Sequence, residues 1–150
     1  MTTSAPVVTA ISEEDAARCW PVLRELRPQL LDLHDFLQRW RTQVGEGYQL
    51  VYAEDAGVVV AVAGYRVMTT LAWGRIVYID DLVALPGVHG RGFGALLLSH
   101  IKATAVELGC DGVHLDTGYQ RHAAHVSYLR NGFDLVCHHM SWTRPVSAGD

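Results

Sequence analysis

The stretch Leu82-Val83-Ala84-Leu85-Pro86-Gly87-Val88-His89-Gly90-Arg91-Gly92-Phe93-Gly94 decides the fold of this 150-residue chain. An apolar run ends at Pro86, three glycines follow at alternate positions, and an amphipathic segment begins at Ala95. This order predicts a strand over Arg75–Leu85, a loop, and a helix that ends at Gly109. The unpaired N–H groups and dipole at the start of such a helix favour an anion, and glycine lets the backbone approach it closely.

Two other kinds of phosphate-binding loop fit these residues poorly. A Walker loop needs Gly-Lys-Ser/Thr, whereas Gly94 is followed by Ala95-Leu96. A dinucleotide-binding loop follows the first strand of its domain and precedes an acidic residue at the end of the next strand. Here the loop comes late in the chain, and Glu107 falls within the predicted helix. The glycines alone therefore predict a phosphate-binding loop and no particular ligand.

Upstream of the loop, the hydrophobic pattern predicts a strand, two helices and two more strands. Ser12 and Asp15 can cap the first helix, and Pro28 separates it from the second. The turn Glu54–Gly57 suits a tight hairpin, and Thr69–Gly74 is predicted as a further connection. The predicted elements are a strand over Val7–Ile11, helices over Ala16–Leu26 and Leu30–Val44, and strands over Tyr48–Ala53 and Val58–Val67.

Downstream of the loop, the chain predicts a strand over Gly112–Thr117, a helix over Arg121–Arg130 and a last strand over Phe133–Trp142. Asn131-Gly132 is a typical end for the second of these. Taken together, the element order predicts one α/β domain over residues 1–150, with a mixed sheet and helices on both faces.

Composition excludes several classes of protein. With 49% hydrophobic residues, a net charge of -4 and a pI near 6.0, the chain has no basic field for nucleic acid or an anionic membrane surface. No apolar run approaches the length of a bilayer span, and the N-terminal residues do not resemble a signal peptide. We therefore expect a cytoplasmic protein whose three cysteines are reduced core thiols.

Two segments resemble the GCN5-related N-acetyltransferase (GNAT) superfamily. Leu82 to Gly94 is similar to that family's apolar strand followed by Arg/Gln-x-x-Gly-x-Gly/Ala, and Ala124–Phe133 is similar to its A-x-x-x-Y-x-x-x-G-F segment. The segments occur in the family's order and approximate spacing, so the resemblance covers nearly the whole chain. It implies a mostly antiparallel sheet that is splayed between the Tyr78 and Val113 strands, where acetyl-CoA binds.

The resemblance also implies which residues contact acetyl-CoA. His89 stands where the family usually has Arg or Gln, and Arg121 stands where many members carry an Asn that touches the pantetheine arm. The implied cofactor contacts are Leu82, Val83, Ala84, His89, Gly90, Arg91, Gly92, Phe93, Gly94 and Arg121. The stretch from Arg121 to Arg130 looks closest to members that acetylate small amines, including aminoalkylphosphonates.

Acetyl transfer needs a proton acceptor, because only about one part in a thousand of a free alkylamine is unprotonated at neutral pH. Asp80 and Asp81 are the candidate bases, since they lie on the strand that leads to the loop. Alternation along a strand places them on opposite faces, so that one can face the cleft, and the resemblance favours Asp80. The alternative is that both carboxylates are structural.

Tyr128 is the candidate acid, because the resemblance implies that it protonates the departing thiolate of CoA. Its alternative role is an aromatic residue packed on its helix. A backbone N–H near Leu82 to Ala84 would meet the oxyanion, and direct attack by the amine requires no acyl-enzyme. The helix Leu30–Val44 and the connection Thr69–Gly74 are expected to shape the acceptor site, with Asp32, His34, Asp35, Arg39 and Trp73.

The remaining expectations concern ligands and partners. We expect a small primary amine as acceptor, with a protein or peptide N-terminus as an alternative, and no metal, since His122 and His125 lack a third ligand in sequence. The last strand could pair with a second subunit in a homodimer. A non-catalytic acyl-CoA-binding or regulatory module and an unrelated phosphate-binding domain stay open as other classes.

Overall fold

The computed structural model describes residues 5–147. The chain divides into two compact units, Met1–Leu115 and Asp116–Asp150. Among residues 5–147, the first unit carries the sheet and three α-helices, and the second carries one α-helix. That a single domain spans residues 1–150 stays a prediction.

The first unit is built on a five-stranded sheet in the order β1-β2-β3-β4-β5. All neighbouring strands are antiparallel except β4 and β5, which are parallel. The mixed, mostly antiparallel sheet is therefore confirmed. The strands are β1 (Val7–Thr9), β2 (Gln49–Asp55), β3 (Val58–Thr70), β4 (Gly74–Ala84) and β5 (Gly112–Leu115).

The helices of the first unit are α1 (Glu13–Leu26), α2 (Leu33–Gly45) and α3 (Phe93–Glu107), with a short 3-10 turn over Pro86–Val88. Ser12 caps α1 as predicted, because its hydroxyl accepts the Asp15 N–H at 3.1 Å. The α2 helix begins later than Leu30, since Asp32 accepts the Asp35 N–H at 2.8 Å and so fixes the start at Leu33.

Helices cover both faces of the sheet, as predicted. On one face Leu50, Tyr52 and Val62 form a buried cluster with α1 and α2. Their strand neighbours Val51 and Ala63 are equally buried and point to the other face, which α3 contacts. On that face the Tyr65 side chain hydrogen-bonds Thr104 of α3. The sheet is thus covered on both sides, as its apolar β3 requires.

The two β-hairpins have longer strands and shorter turns than the sequence predicts. Ala56 and Gly57 both have positive φ, 51° and 79°, in the two-residue turn that joins β2 to β3. The predicted connection Thr69–Gly74 shrinks to a turn, because the Thr70 hydroxyl accepts the Trp73 N–H and donates to the Gly74 carbonyl. β3 and β4 therefore extend almost to the turn.

The sheet opens at the carboxyl end of β5. Its last parallel pair joins Ile79 of β4 to Leu115, and β4 continues to Ala84 beyond that point. From Asp80 onward, the side of β4 that faced β5 has no strand beside it within residues 5–147. This is the splay that the family resemblance predicted between the Tyr78 and Val113 strands.

The second unit contains α4 (His122–Arg130), close to the predicted helix. The strand predicted over Phe133–Trp142 is wrong, because the described chain has no regular structure there. A strand needs a neighbour to accept and donate its backbone hydrogen bonds, and the second unit, as far as it is described, contains no other strand. The apolar alternation alone could not supply that partner.

The three cysteines differ in how far they are buried. Cys19 is buried as expected, and burial raises the pKa of its thiol to about 12. Cys110 is half-buried and Cys137 is exposed, so the expectation of core thiols is wrong for Cys137.

None of the helices within residues 5–147 has the length and apolar content needed to cross a bilayer.

Candidate active site

The glycine-rich loop lies where the sequence places it, between β4 and α3. Gly90 and Gly92 have φ of 82° and 87°, in the left-handed region that disfavours residues with a Cβ. Gly92 is the N-cap of α3 and offers no side-chain cap, so the first N–H groups of the helix stay available to an anion. A Cβ built at Gly90, Gly92 or Gly94 would meet nothing within 4 Å. The loop therefore has open space before it, as a phosphate cradle requires.

The two polar side chains of the loop, His89 and Arg91, both contact other parts of the protein. The His89 ring lies 3.1 Å from the Ala84 carbonyl oxygen, which holds it against the end of β4. The Arg91 guanidinium binds Asp55 of the β2–β3 hairpin at 2.8 Å and lies 5.4 Å from the centre of the Phe93 ring. Backbone N–H groups, rather than a free side chain, are thus the main donors of this loop.

Asp80 and Asp81 lie at a β-bulge in β4. Asp81 pairs with Gly64 and Ile79 pairs with Tyr65, which leaves Asp80 as the extra residue. Gly64 and Arg66 lie on the same face of β3. Asp81 is paired with Gly64 and Asp80 binds Arg66, so both carboxylates lie on that face. The expectation that the two carboxylates point to opposite faces is wrong, because the bulge interrupts the alternation.

Each oxygen of the two carboxylates accepts a hydrogen bond. Arg66 binds Asp80 at both oxygens, at 2.9 and 2.8 Å. Arg27 donates to Asp81 at 2.8 Å, and the Tyr48 hydroxyl donates to its other oxygen at 2.7 Å. Arg27 also donates to the Asp80 carbonyl. A planar guanidinium on a carboxylate fixes position as well as charge, so both side chains are held rigidly.

Tyr48 is buried beneath this pair. Burial, and next the charge of Asp81, raise its pKa well above the ordinary value, so the phenol keeps its proton and goes on donating to Asp81. A side chain at Gly64 would overlap the Tyr48 hydroxyl. Glycine in the middle of β3 therefore leaves the space that the Tyr48 hydroxyl occupies.

A cleft of about 690 Å³ opens beside Asp81 in the first unit. Its walls come from the end of α1, the segment that follows, one side of α2, and the sheet. The lining residues are Leu23, Arg27, Gln29, Leu30, Asp35, Phe36, Gln38, Arg39, Thr42, Gln43, Tyr48 and Asp81. This volume suits a small molecule.

Tyr128 lies on α4 of the second unit, where its side chain is half-buried. Its ring meets Phe133 edge-on at 5.9 Å between centroids, and its carbonyl accepts the Phe133 N–H at 3.0 Å. Burial raises the pKa of the phenol, while the charge of Arg121 opposes this in part. The side chain is therefore protonated at neutral pH, the state that a general acid needs.

Comparison with known proteins decides the family. The model of the acetyltransferase (GNAT) family matches residues 13–133, which include the loop, both carboxylates and Tyr128. The chain belongs to the GNAT acetyltransferase family. A curated relative, the uncharacterized N-acetyltransferase YhdJ of Bacillus subtilis (strain 168), is 31% identical over 126 residues, which cover 83% of this chain and 88% of that protein.

Solved structures show that this GNAT acetyltransferase shares its fold with distant proteins. A transcriptional regulator from Bacillus halodurans C-125 matches with a TM-score of 0.82 at 18% identity, over 94% of this chain and 100% of that one. AAC(6')-Iy, in complex with the bisubstrate analog CoA-S-monomethyl-acetylneamine, matches with a TM-score of 0.76 at 14% identity, over 95% of this chain and 100% of that one.

In this acetyltransferase, the predicted site residues from Asp80 to Gly94 form one continuous strand, loop and helix start in the first unit. Tyr128 and Arg121 belong to the second unit. Of the residues expected to shape the acceptor site, Asp35 and Arg39 line the cleft and Asp32 caps α2. His34 and Trp73 do not line it, and Trp73 stacks on His114 at 4.3 Å.

Sequence reasoning missed the partners of the carboxylates, which are Arg27, Tyr48 and Arg66. Arg66 offered a signal, since a charged residue within the apolar run of β3 needs a buried partner. Gly64 offered another, because glycine inside a strand marks the close approach of another group. Arg27 follows a helix end, where arginine is common, and nothing local indicated its role.

Proposed function

We propose that this GNAT acetyltransferase moves the acetyl group of acetyl-CoA directly to a primary amine of a small molecule, without an acyl-enzyme. The observation that carries the proposal is the uncapped start of α3 at Gly92, joined to the unpaired edge of β4. Together they offer N–H groups to a pyrophosphate and an extended backbone to the amides of a pantetheine arm.

The proposal assigns the contacts with acetyl-CoA as follows. The loop from His89 to Gly94 binds the pyrophosphate through its backbone, with Arg91 as a nearby charge. Leu82 to Ala84 bind the arm along the open edge of β4, and one of their N–H groups stabilises the oxyanion. Arg121 is kept as a cofactor contact on the strength of the family resemblance.

The amine would enter through the cleft. Asp81 lines it, whereas Asp80 does not, so Asp81 is our first candidate to accept the amine proton through water, and Asp80 is the second. The neutral amine then attacks the thioester carbon, so that a C–N bond forms and the carbonyl electron pair moves onto oxygen. Collapse of this oxyanion restores the carbonyl and breaks the C–S bond. The electron pair of the broken bond leaves on sulfur.

Tyr128 would supply the proton that the leaving thiolate of CoA takes up. Its raised pKa supports this role, since the phenol stays protonated at neutral pH. The acetylated nitrogen releases its remaining extra proton to solvent, and the phenolate regains its proton from solvent, so that the products are the N-acetyl amine, CoA and one proton.

A screen of small primary amines with acetyl-CoA tests the proposal, with release of free thiol as the readout. We expect acetyl-CoA to raise the melting temperature and at least one amine to be acetylated. Stabilisation by acetyl-CoA with no acetylated amine would favour a binding or regulatory module. Stronger stabilisation by ATP or NAD would point to an unrelated phosphate-binding domain.

Gly92→Ala should weaken the binding of acetyl-CoA. An alanine there is strained by about 1 kcal/mol in the left-handed region, and its methyl group enters the open space that we assign to the pyrophosphate. We expect the KM for acetyl-CoA to rise about tenfold, with a loss of about 3 °C in melting temperature. In the control Gly45→Ala, at the end of α2, the new methyl group meets nothing and φ is not positive, so the KM should stay unchanged and the melting temperature should not fall. An unchanged KM in Gly92→Ala would count against the pyrophosphate assignment.

A further inference from the structure

The cleft beside Asp81 presents hydrogen-bond donors. The side-chain amides of Gln29, Gln38 and Gln43 line it and make no hydrogen bond within residues 5–147. Both oxygens of Asp81 already accept hydrogen bonds from Arg27 and Tyr48. A ligand in this cleft therefore meets more free donors than free carboxylate oxygens.

Arg39 is the strongest of these donors. Its guanidinium lies 3.7 Å from the Asp35 carboxylate, which is too long for a hydrogen bond, and its side chain is 62% exposed. Asp35 is already used, because its other oxygen accepts the Leu31 N–H at 3.1 Å. Gln43 follows Arg39 by one helical turn, so these two side chains are neighbours on one face of α2. Gln38, directly before Arg39, lines the same cleft.

We propose that the acceptor amine carries a second, anionic group, a carboxylate, phosphonate or phosphate, that α2 binds through Arg39, Gln38 and Gln43. A planar guanidinium matches two oxygens of such a group, and the amides satisfy the others. The inference rests on the proposed function, since it names the class of acceptor for the same site.

Charge balance supports this class. The lining holds two arginines, Arg27 and Arg39, and two aspartates, Asp35 and Asp81, so its formal charge is zero. An acceptor with one ammonium and one anionic group matches it, with the ammonium towards Asp81 and the anion towards α2. A polycationic amine would bring several positive charges against two arginines, and its additional ammonium groups would find no anionic group among the described residues of the cleft beyond Asp35 and Asp81.

Three acceptors with the same alkyl chain test the inference: propylamine, γ-aminobutyrate and aminopropylphosphonate. We expect kcat/KM to be at least about tenfold higher for the two anionic amines than for propylamine. Arg39→Gln should lower the ratio of kcat/KM for each anionic amine to that for propylamine by about tenfold. The matched control is Arg41→Gln, which lies on the same helix, pairs with Glu13 and does not line the cleft. The two anionic amines separate a carboxylate from a phosphonate preference.

Equal use of propylamine would overturn the inference, as would an Arg39→Gln variant that slows all three amines alike. Calorimetric titration of the two anionic amines into the protein with CoA separates this inference from the proposed function. Binding that depends on Arg39 without acetylation means that the proposed function fails and the anion site stands. Acetylation without Arg39-dependent binding means that the proposed function stands and the anion site fails. If the anionic amines show no binding and no acetylation, both the proposed function and the inference are overturned.

Discussion

Tyr128→Phe should lower the kcat of acetyl transfer by about a hundredfold, the usual contribution of a positioned general acid. The thiolate of CoA would then leave without a proton donor. Binding of acetyl-CoA, measured by titration, should change little, because phenylalanine keeps the edge-on contact with Phe133. Since burial raises the pKa of this phenol, the alkaline limit that it sets on wild-type kcat should lie above that of an ordinary tyrosine.

Tyr119→Phe is the matched control for that variant. It removes a hydroxyl from the same unit, one that lies 2.8 Å from Nδ1 of His138 on an exposed surface. Steady-state rates of this variant should equal those of the wild type. If Tyr128→Phe also retains full kcat, the assignment of Tyr128 as the acid is refuted, and the packing role against Phe133 remains.

Replacing Gly64 by alanine should destabilise the fold by about 2 kcal/mol, although it adds a single methyl group. That methyl group would overlap the Tyr48 hydroxyl, which binds Asp81. Tyr48 as a whole is only 4% exposed. Because Tyr48 is buried and bound to Asp81, either the strand or the Asp81 contact must give way. Thermal unfolding should show a loss of about 6 °C, and acetylation should fall as Asp81 loses its donor.

Gly45→Ala controls for the general effect of adding a methyl group at a glycine. Its Cβ meets nothing within 4 Å, so unfolding should be unchanged or slightly shifted upward. A melting temperature for Gly64→Ala equal to that of the wild type would show that Tyr48 does not need this space.

The parts of the fold that could be predicted are those set by neighbouring residues. Ser12 starts α1 through a hydrogen bond to Asp15, and the turn at Ala56-Gly57 forms within its own hairpin. The glycine loop is of the same kind, since its positive φ values at Gly90 and Gly92 are local requirements. The prediction of a strand over Phe133–Trp142 was wrong, because a strand forms only with a partner strand, and the pattern of its own residues does not specify that partner.

By itself, the sequence determined the element order from β1 to α4, the glycine loop that opens α3, and the family to which the chain belongs. Only the tertiary structure decided that Asp80 and Asp81 share one face, that Arg66 and Arg27 hold them, and that a donor-rich cleft lies beside Asp81. The physical reason is the range of the contacts. A cap or turn forms within a few residues, whereas Arg27 and Asp81 lie 54 positions apart and meet only through the packing of α1 on the sheet.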